Sequence, residues 1–148
     1  MIRVDQIDHV ELFVPGRAEA AEWYSRTLGC EVVPDYKHWA DNPKGPLMIS
    51  PDGGNTKLAL FRGEPQGTRR TAGFLRVAFR VSGTVFAEFV RHLPGLELKT
   101  EEDRPVTRQS VIDHGQALSI YFCDPFGHRL EITTYDYKLA WGEMAEPD

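Results

Sequence analysis

Cysteine is scarce in this sequence: Cys30 and Cys123 are the only two, too few for a disulfide framework and without the paired spacing of a metal site. No apolar run approaches the ~20 residues that a membrane-spanning helix needs, so no membrane partner is expected. Basic charge is also short. Lys and Arg number 17 against 22 Asp and Glu, a formal net charge of -5, and nucleic acid is excluded as a partner because phosphate binding wants clustered Lys and Arg. The N-terminus, MIRVDQIDHVELFV, lacks an apolar signal core and alternates like a strand, so a cytoplasmic location is the expectation. What is present is an ordinary globular composition, 41% hydrophobic and 26% charged over 148 residues. That length suits one domain with a real core.

The most informative stretch is LSIYFCDPFGHRLEITTY, Leu118 to Tyr135. Alternation places Ser119, Tyr121 and Cys123 on one face of a strand and Leu118, Ile120 and Phe122 on the other. Asp124-Pro125-Phe126-Gly127 has turn chemistry: Asp bonds local backbone, Pro presets φ, and Gly tolerates positive φ. Beyond the turn, Arg129, Glu131, Thr133 and Tyr135 alternate with Leu130, Ile132 and Thr134. Glu131 is therefore a carboxylate in the middle of a half-buried strand, where acids are rare unless paired or bound to a metal.

Earlier in the chain, Ile7 to Val14 alternates as a strand and Pro15-Gly16 ends it. Ala20, Trp23, Tyr24, Thr27 and Leu28 then form a helical face closed by Gly29. A strand starts at Glu31, an irregular flap runs from Asp35 to Pro46, and Leu47–Ser50 with Thr56–Arg62 forms a hairpin. The polar GEPQGTRRT segment reads as a linker. The pattern then restarts: a strand from Phe74 to Val81, a helix carrying Phe86, Phe89, Val90 and Leu93 that Pro94-Gly95 stops, a charged loop from Lys99 to Arg104, a strand over Arg108–Asp113, and the closing hairpin. His128 is expected to face water, and Tyr137 to Asp148 is a short tail whose Leu139 and Trp141 can pack on the domain and whose end is expected to fray. The order strand–helix–three strands thus occurs twice, with His9 and Arg76 in equivalent places. Module one spans about 4–62, the linker 63–72, module two 73–135 and the tail 136–148. Each half has a helix on one sheet face and nothing on the other, so two halves can curl their free faces around a shared cleft. The helix-side positions are apolar, while the cleft side carries His9, Glu11, Arg76, Arg80 and Glu131.

IDHVELFV, the AAEWYSRTLG helix and SIYF-DPFG-HRLEITTY resemble the vicinal oxygen chelate superfamily, the group of glyoxalase I, bleomycin-resistance proteins, fosfomycin-modifying enzymes and type I extradiol dioxygenases. The resemblance implies an α+β fold of two βαβββ modules forming a curved, cleft-enclosing mixed β-sheet, and pairing with a second copy as a homodimer. It implies a small-molecule substrate or ligand and, in the metal-dependent branches, a divalent Fe, Mn, Zn or Ni ion. His9 and Glu131 match two metal-ligand positions. Arg76 stands where a third ligand, a His, is expected, and a guanidinium offers no lone pair. Asp113-His114-Gly115 resembles the dioxygenase pattern in which a His near the metal serves as acid/base, and Tyr121 lies on the strand that carries a substrate-side tyrosine there.

Two function classes remain open. In the enzyme, either His9 and Glu131 hold a metal and His114 moves a proton, or His114 and Glu11 do acid/base chemistry without a metal, on a small oxygenated or aromatic metabolite, in a dioxygenase or in a lyase or isomerase. In the metal-free binding or resistance module, Arg76 takes the metal's space. It pairs with Glu131, or anchors an anionic aromatic ligand, or does both. Its charge repels a divalent cation by about 4 kcal/mol per unit-charge pair at ~4 Å and an effective dielectric of ~20, doubled for a dication. Phe13, Phe74, Tyr121 and Tyr135 would wall an apolar or aromatic pocket.

Overall fold

The computed structural model describes Arg3, residues 6–64 and residues 76–145. Phe74, expected to wall the pocket, and most of the expected linker lie outside them. The chain divides into two compact units, Met1–Arg69 and Arg70–Asp148.

The first unit runs β1 (His9–Val14), α1 (Arg17–Leu28), β2 (Glu31–Val32), a 3-10 segment (Pro34–Asp41), β3 (Leu47–Ser50) and β4 (Lys57–Arg62). Its sheet has the order β1-β4-β3-β2, with β1 parallel to β4 and the other pairs antiparallel. The alternation of β1 sends Leu12 and Val14 into the core with Leu58 and Leu60 of β4 and Tyr24 of α1, while His9, Glu11 and Phe13 stay exposed. Gly29 caps α1 in the left-handed conformation, its N–H and that of Cys30 donating to the Ser25 and Tyr24 carbonyls.

One expectation for this unit fails. Its second sheet face is not bare: Val33, Met48 and Ala59 form a buried cluster there, with Tyr36 and Phe61 packed on it. The 34–41 stretch is a 3-10 segment in which Tyr36 stacks on Trp39 at 4.5 Å. Arg17 ties the end of this segment and the turn after it to α1, donating to the carbonyls of Ala40, Asn42 and Gly45.

The second unit repeats the plan with β5 (Val77–Arg80), α2 (Gly83–Leu96), a 3-10 turn (Arg108–Ser110), β6 (Ile112–Asp113), β7 (Leu118–Cys123), β8 (Arg129–Thr134) and α3 (Tyr137–Ala145). The sheet order is β5-β8-β7-β6, with β5 parallel to β8. Leu118, Ile120, Phe122, Leu130 and Ile132 are buried on the face toward α2, whose Phe86, Val90 and Leu93 are buried as well.

Two expectations are corrected here. The helix does not stop at Pro94 but runs to Leu96 and turns at Glu97, whose φ is 53°. A proline this late removes one hydrogen bond from the final turn, and buried Leu93 and Leu98 hold the turn from either side. The expected strand over Arg108–Asp113 is a 3-10 turn closed by a Thr107–Ser110 capping box, then a two-residue strand. The short tail carries a helix, and its last three residues lie outside the described ones: α3 buries Ala140 and Met144 and packs against α2, with Thr84 Oγ1 donating to Glu143 and the Gly83 N–H donating to Asp136. In both units the layering is α+β, two four-stranded mixed sheets each backed by helices.

Candidate functional site

The β7–β8 hairpin sets the site. Its turn is built around Asp124, whose buried carboxylate accepts the N–H groups of Phe126 and His128 at 2.9 and 2.8 Å and faces His128 Nδ1 at 2.6 Å. His128 is therefore not a solvated turn residue; its side chain is 13% exposed and pinned to the acid. With the turn fixed, Tyr121 lies directly opposite Glu131, and Ser119 opposite Thr133. Both pairs project on the face away from α2.

On this face Ser119 Oγ donates to Glu131 Oε1 at 2.7 Å, and Ser119 also contacts Thr133 Oγ1 at 3.1 Å. The carboxylate is thus oriented from beneath by a buried hydroxyl. Arg76, just before β5, places its guanidinium over the Tyr121 ring, 4.4 Å from the ring centre, a favourable cation–π arrangement. Arg76 Nε is buried and has no hydrogen-bond partner. Among the described residues no ion pair joins Arg76 to Glu131. The pairing expected from the sequence is replaced by stacking on the residue opposite Glu131. The fourth member is His114, whose Nε2 lies 2.9 Å from the Tyr121 hydroxyl, with the rings edge to face. Asp113 holds the His114 turn by accepting the Gly115 N–H at 2.7 Å and the Tyr137 hydroxyl at 2.7 Å. These bonds, the Gly115 N–H first, keep the Asp113 carboxyl below its ordinary value.

In the first unit, His9 Nδ1 sits 2.7 Å from Asp8 and its Nε2 lies 3.5 Å from Glu11, so Glu11 is a partner of His9. Lys57, in register with His9 across β1 and β4, bonds Asp8 at 3.0 Å. Hydrogen bonds from His9, then Lys57, hold the Asp8 carboxyl below its ordinary value. Phe13 lies on the same strand face, close enough to Gly63 that a Cβ there would come within 2.7 Å of its ring.

The structure therefore brings together Arg76, Tyr121, His114 and Glu131, and separately His9 and Glu11. Tyr135 is 67% exposed beyond the end of β8 and joins neither group. Sequence reasoning gave no role to Ser119, Lys57 or Asp8. The signal for Ser119 was its i, i+2 relation to Tyr121 on a strand whose partner carries Glu131.

With this geometry in place, the family model described as Glyoxalase/Bleomycin resistance protein/Dioxygenase superfamily matches residues 6–132. The chain belongs to this superfamily. Solved structures with the superfamily fold include a provisionally named glyoxalase family protein from Bacillus anthracis, with 24% identity and a TM-score of 0.60, covering 91% of this chain and 98% of that one. The genomically encoded fosfomycin resistance protein FosX from Listeria monocytogenes, complexed with Mn(II) and sulfate, has 14% identity and a TM-score of 0.62, covering 95% and 98%. The oxidase ChaP-H2 has 22% identity and a TM-score of 0.62, covering 89% and 94%. At these identities the likeness is one of fold. No curated protein matches the chain.

A divalent metal of the kind seen in the Listeria superfamily member does not fit the donors within either unit. Among the described residues no group of three or more His, Cys, Asp or Glu is placed to hold an ion. His9 has a carboxylate against each ring nitrogen. Glu131 has one oxygen on Ser119 and a fixed guanidinium over the tyrosine opposite it, and that charge repels a dication.

Proposed function

We propose that the chain binds a small, anionic, oxygen-bearing aromatic metabolite on the polar face of the second unit's sheet, without a resident metal. The observation that carries this reading is the buried Arg76 Nε with no hydrogen-bond partner. A desolvated guanidinium donor without an acceptor costs about 1–3 kcal/mol or more, and a ligand carboxylate or phenolate removes that cost. Tyr121 holds the guanidinium plane and supplies an aromatic surface beside it, while Glu131, fixed by Ser119, accepts a hydroxyl of the same ligand.

The His114–Tyr121 hydrogen bond favours a second, catalytic reading. Imidazole and phenol in contact can pass a proton to or from a ligand oxygen near the tyrosine hydroxyl. His114 and Tyr121 would then be the catalytic residues, with Arg76 holding the substrate. A cytoplasmic homodimer belongs to the same proposal, tested by light scattering; no described helix is long and apolar enough to cross a membrane.

Benzoate titrated against tryptophan fluorescence in excess EDTA tests the first reading. Saturable binding is expected, weakened at least roughly tenfold in Arg76→Gln, the loss of one charge-assisted hydrogen bond. Binding that requires added metal, or that Arg76→Gln leaves unchanged, overturns it. For the second reading, a panel of catechols and hydroxybenzoates is assayed for product and oxygen uptake. Turnover abolished by His114→Gln with ligand affinity retained supports catalysis; no turnover leaves binding alone.

A further inference from the structure

Arg76 has a second arginine beside it. Val77 faces Leu130 in the parallel β5–β8 pair, so Arg76, one residue earlier, falls next to Arg129 on the same sheet face. Arg129 lies directly opposite Cys123. Burial raises the Cys123 thiol pKa, and both guanidiniums act in the opposite direction. Two cations at one corner of a sheet would suit a doubly charged anion such as a phosphate.

Glu101 alters that balance. Its Oε1 accepts from Arg129 Nη2 at 2.8 Å and its Oε2 faces Arg129 Nε at 2.7 Å, a bidentate clamp. The turn that presents Glu101 is well anchored. The Cys123 N–H donates to the Lys99 carbonyl at 2.9 Å, the Thr100 N–H to the Arg104 carbonyl at 2.8 Å, and Lys99 Nζ pairs with Asp103 at 3.1 Å. The backbone that carries Glu101 is held by these bonds, and the bidentate pair fixes its carboxylate on Arg129.

We propose that Glu101 sets the charge preference of the site, by withdrawing Arg129 from the ligand so that singly charged carboxylates or phenolates are taken over doubly charged phosphates or phosphonates. This rests on the binding reading above. Arg76 then meets the ligand alone. Glu131, on the same face, adds a negative charge that further disfavours a dianion. Glu101 touches no ligand; it is a positioning residue that acts through Arg129.

The test compares benzoate and phenyl phosphate, of similar shape and different charge, on the wild-type chain, Glu101→Gln and Glu101→Gln/Arg129→Gln. Circular dichroism confirms that each variant is folded. The wild type should prefer benzoate. Glu101→Gln should shift the phenyl phosphate-to-benzoate affinity ratio roughly five- to tenfold toward phenyl phosphate, the scale of one unit charge at a partly exposed site. The double variant should lose that gain, which a loop change unrelated to Arg129 would not produce. If benzoate binds and the ratio does not move in Glu101→Gln, the charge-preference inference falls and the binding reading stands. If the wild type binds neither compound, both fall.

Discussion

Replacing Asp124 by alanine removes the anchor of the hairpin that aligns Tyr121 with Glu131. Its carboxylate receives two backbone N–H groups at 2.9 and 2.8 Å and the His128 ring at 2.6 Å, and its side chain is 0% exposed. A hydrogen bond to a charged group contributes about 1.5–3 kcal/mol net. The three share one acceptor group and couple, so they sum to less than three times that value. Asp124→Ala also strands the donors of Phe126 and His128 in a partly buried turn. Together these place the loss at about 3 kcal/mol, the range of a disrupted buried network rather than a surface change. With a urea slope of about 2 kcal/mol/M, the unfolding midpoint falls by roughly 1.5 M. Asp124→Asn keeps one oxygen in place and should recover about half of that. Urea melts of the three proteins by far-ultraviolet circular dichroism give the answer. A shift below roughly 0.3 M in Asp124→Ala would refute the reasoning, since it would mean that the strands alone set the turn.

Asp52 caps the β3–β4 hairpin. Hydrogen bonds, the Thr56 N–H first, lower its pKa to about 2 from the ordinary 3.8. Its folded-state value is depressed, so its stabilisation is present above the unfolded value and lost as pH falls from about 4 toward 2. Asp52→Asn should be less stable than the wild type at pH 7, with the gap in urea midpoint closing over that window. The Cys30 thiol, pushed up to about 12 chiefly by burial, should resist thiol-disulfide reagents at pH 8 until the protein unfolds; Cys123, raised by the same cause, should react slowly. Gly83→Ala puts a methyl 3.0 Å from the Ala140 nitrogen and the Asp136 carbonyl. It should cost about 1–3 kcal/mol and expose Trp141 further, read by a red-shifted tryptophan emission.

The repeat, the strand faces and the turn around Asp124 were legible in the sequence because each depends on local rules: period-two alternation, capping and turn chemistry. The position of Glu131 came from the same alternation. Arg76 was harder. Alternation put it on the same face as Glu131, and its place at an expected metal-ligand position suggested that acid as its partner, but a long side chain reaches elsewhere. β8 lies between β5 and β7, about 10 Å apart at ordinary strand spacing, and the guanidinium crosses that gap to Tyr121. The His114–Tyr121 contact joins a turn to a strand and depends on tertiary placement, so no spacing rule reports it. α3 was missed because its conspicuous residues mislead. Leu139 and Trp141 are 49% and 40% exposed, while the helix docks through Ala140 and Met144. Those two, four residues apart, were the overlooked signal.

Tyr121 is gripped at two points, at its hydroxyl by His114 and across its ring by Arg76. The consequence is one of timing and entropy. A phenol ring held this way flips slowly, and its rotamer freedom is lost when the chain folds rather than when a ligand arrives. Association then orders little of the protein, and differences in affinity among related ligands should lie mainly in how fast they leave.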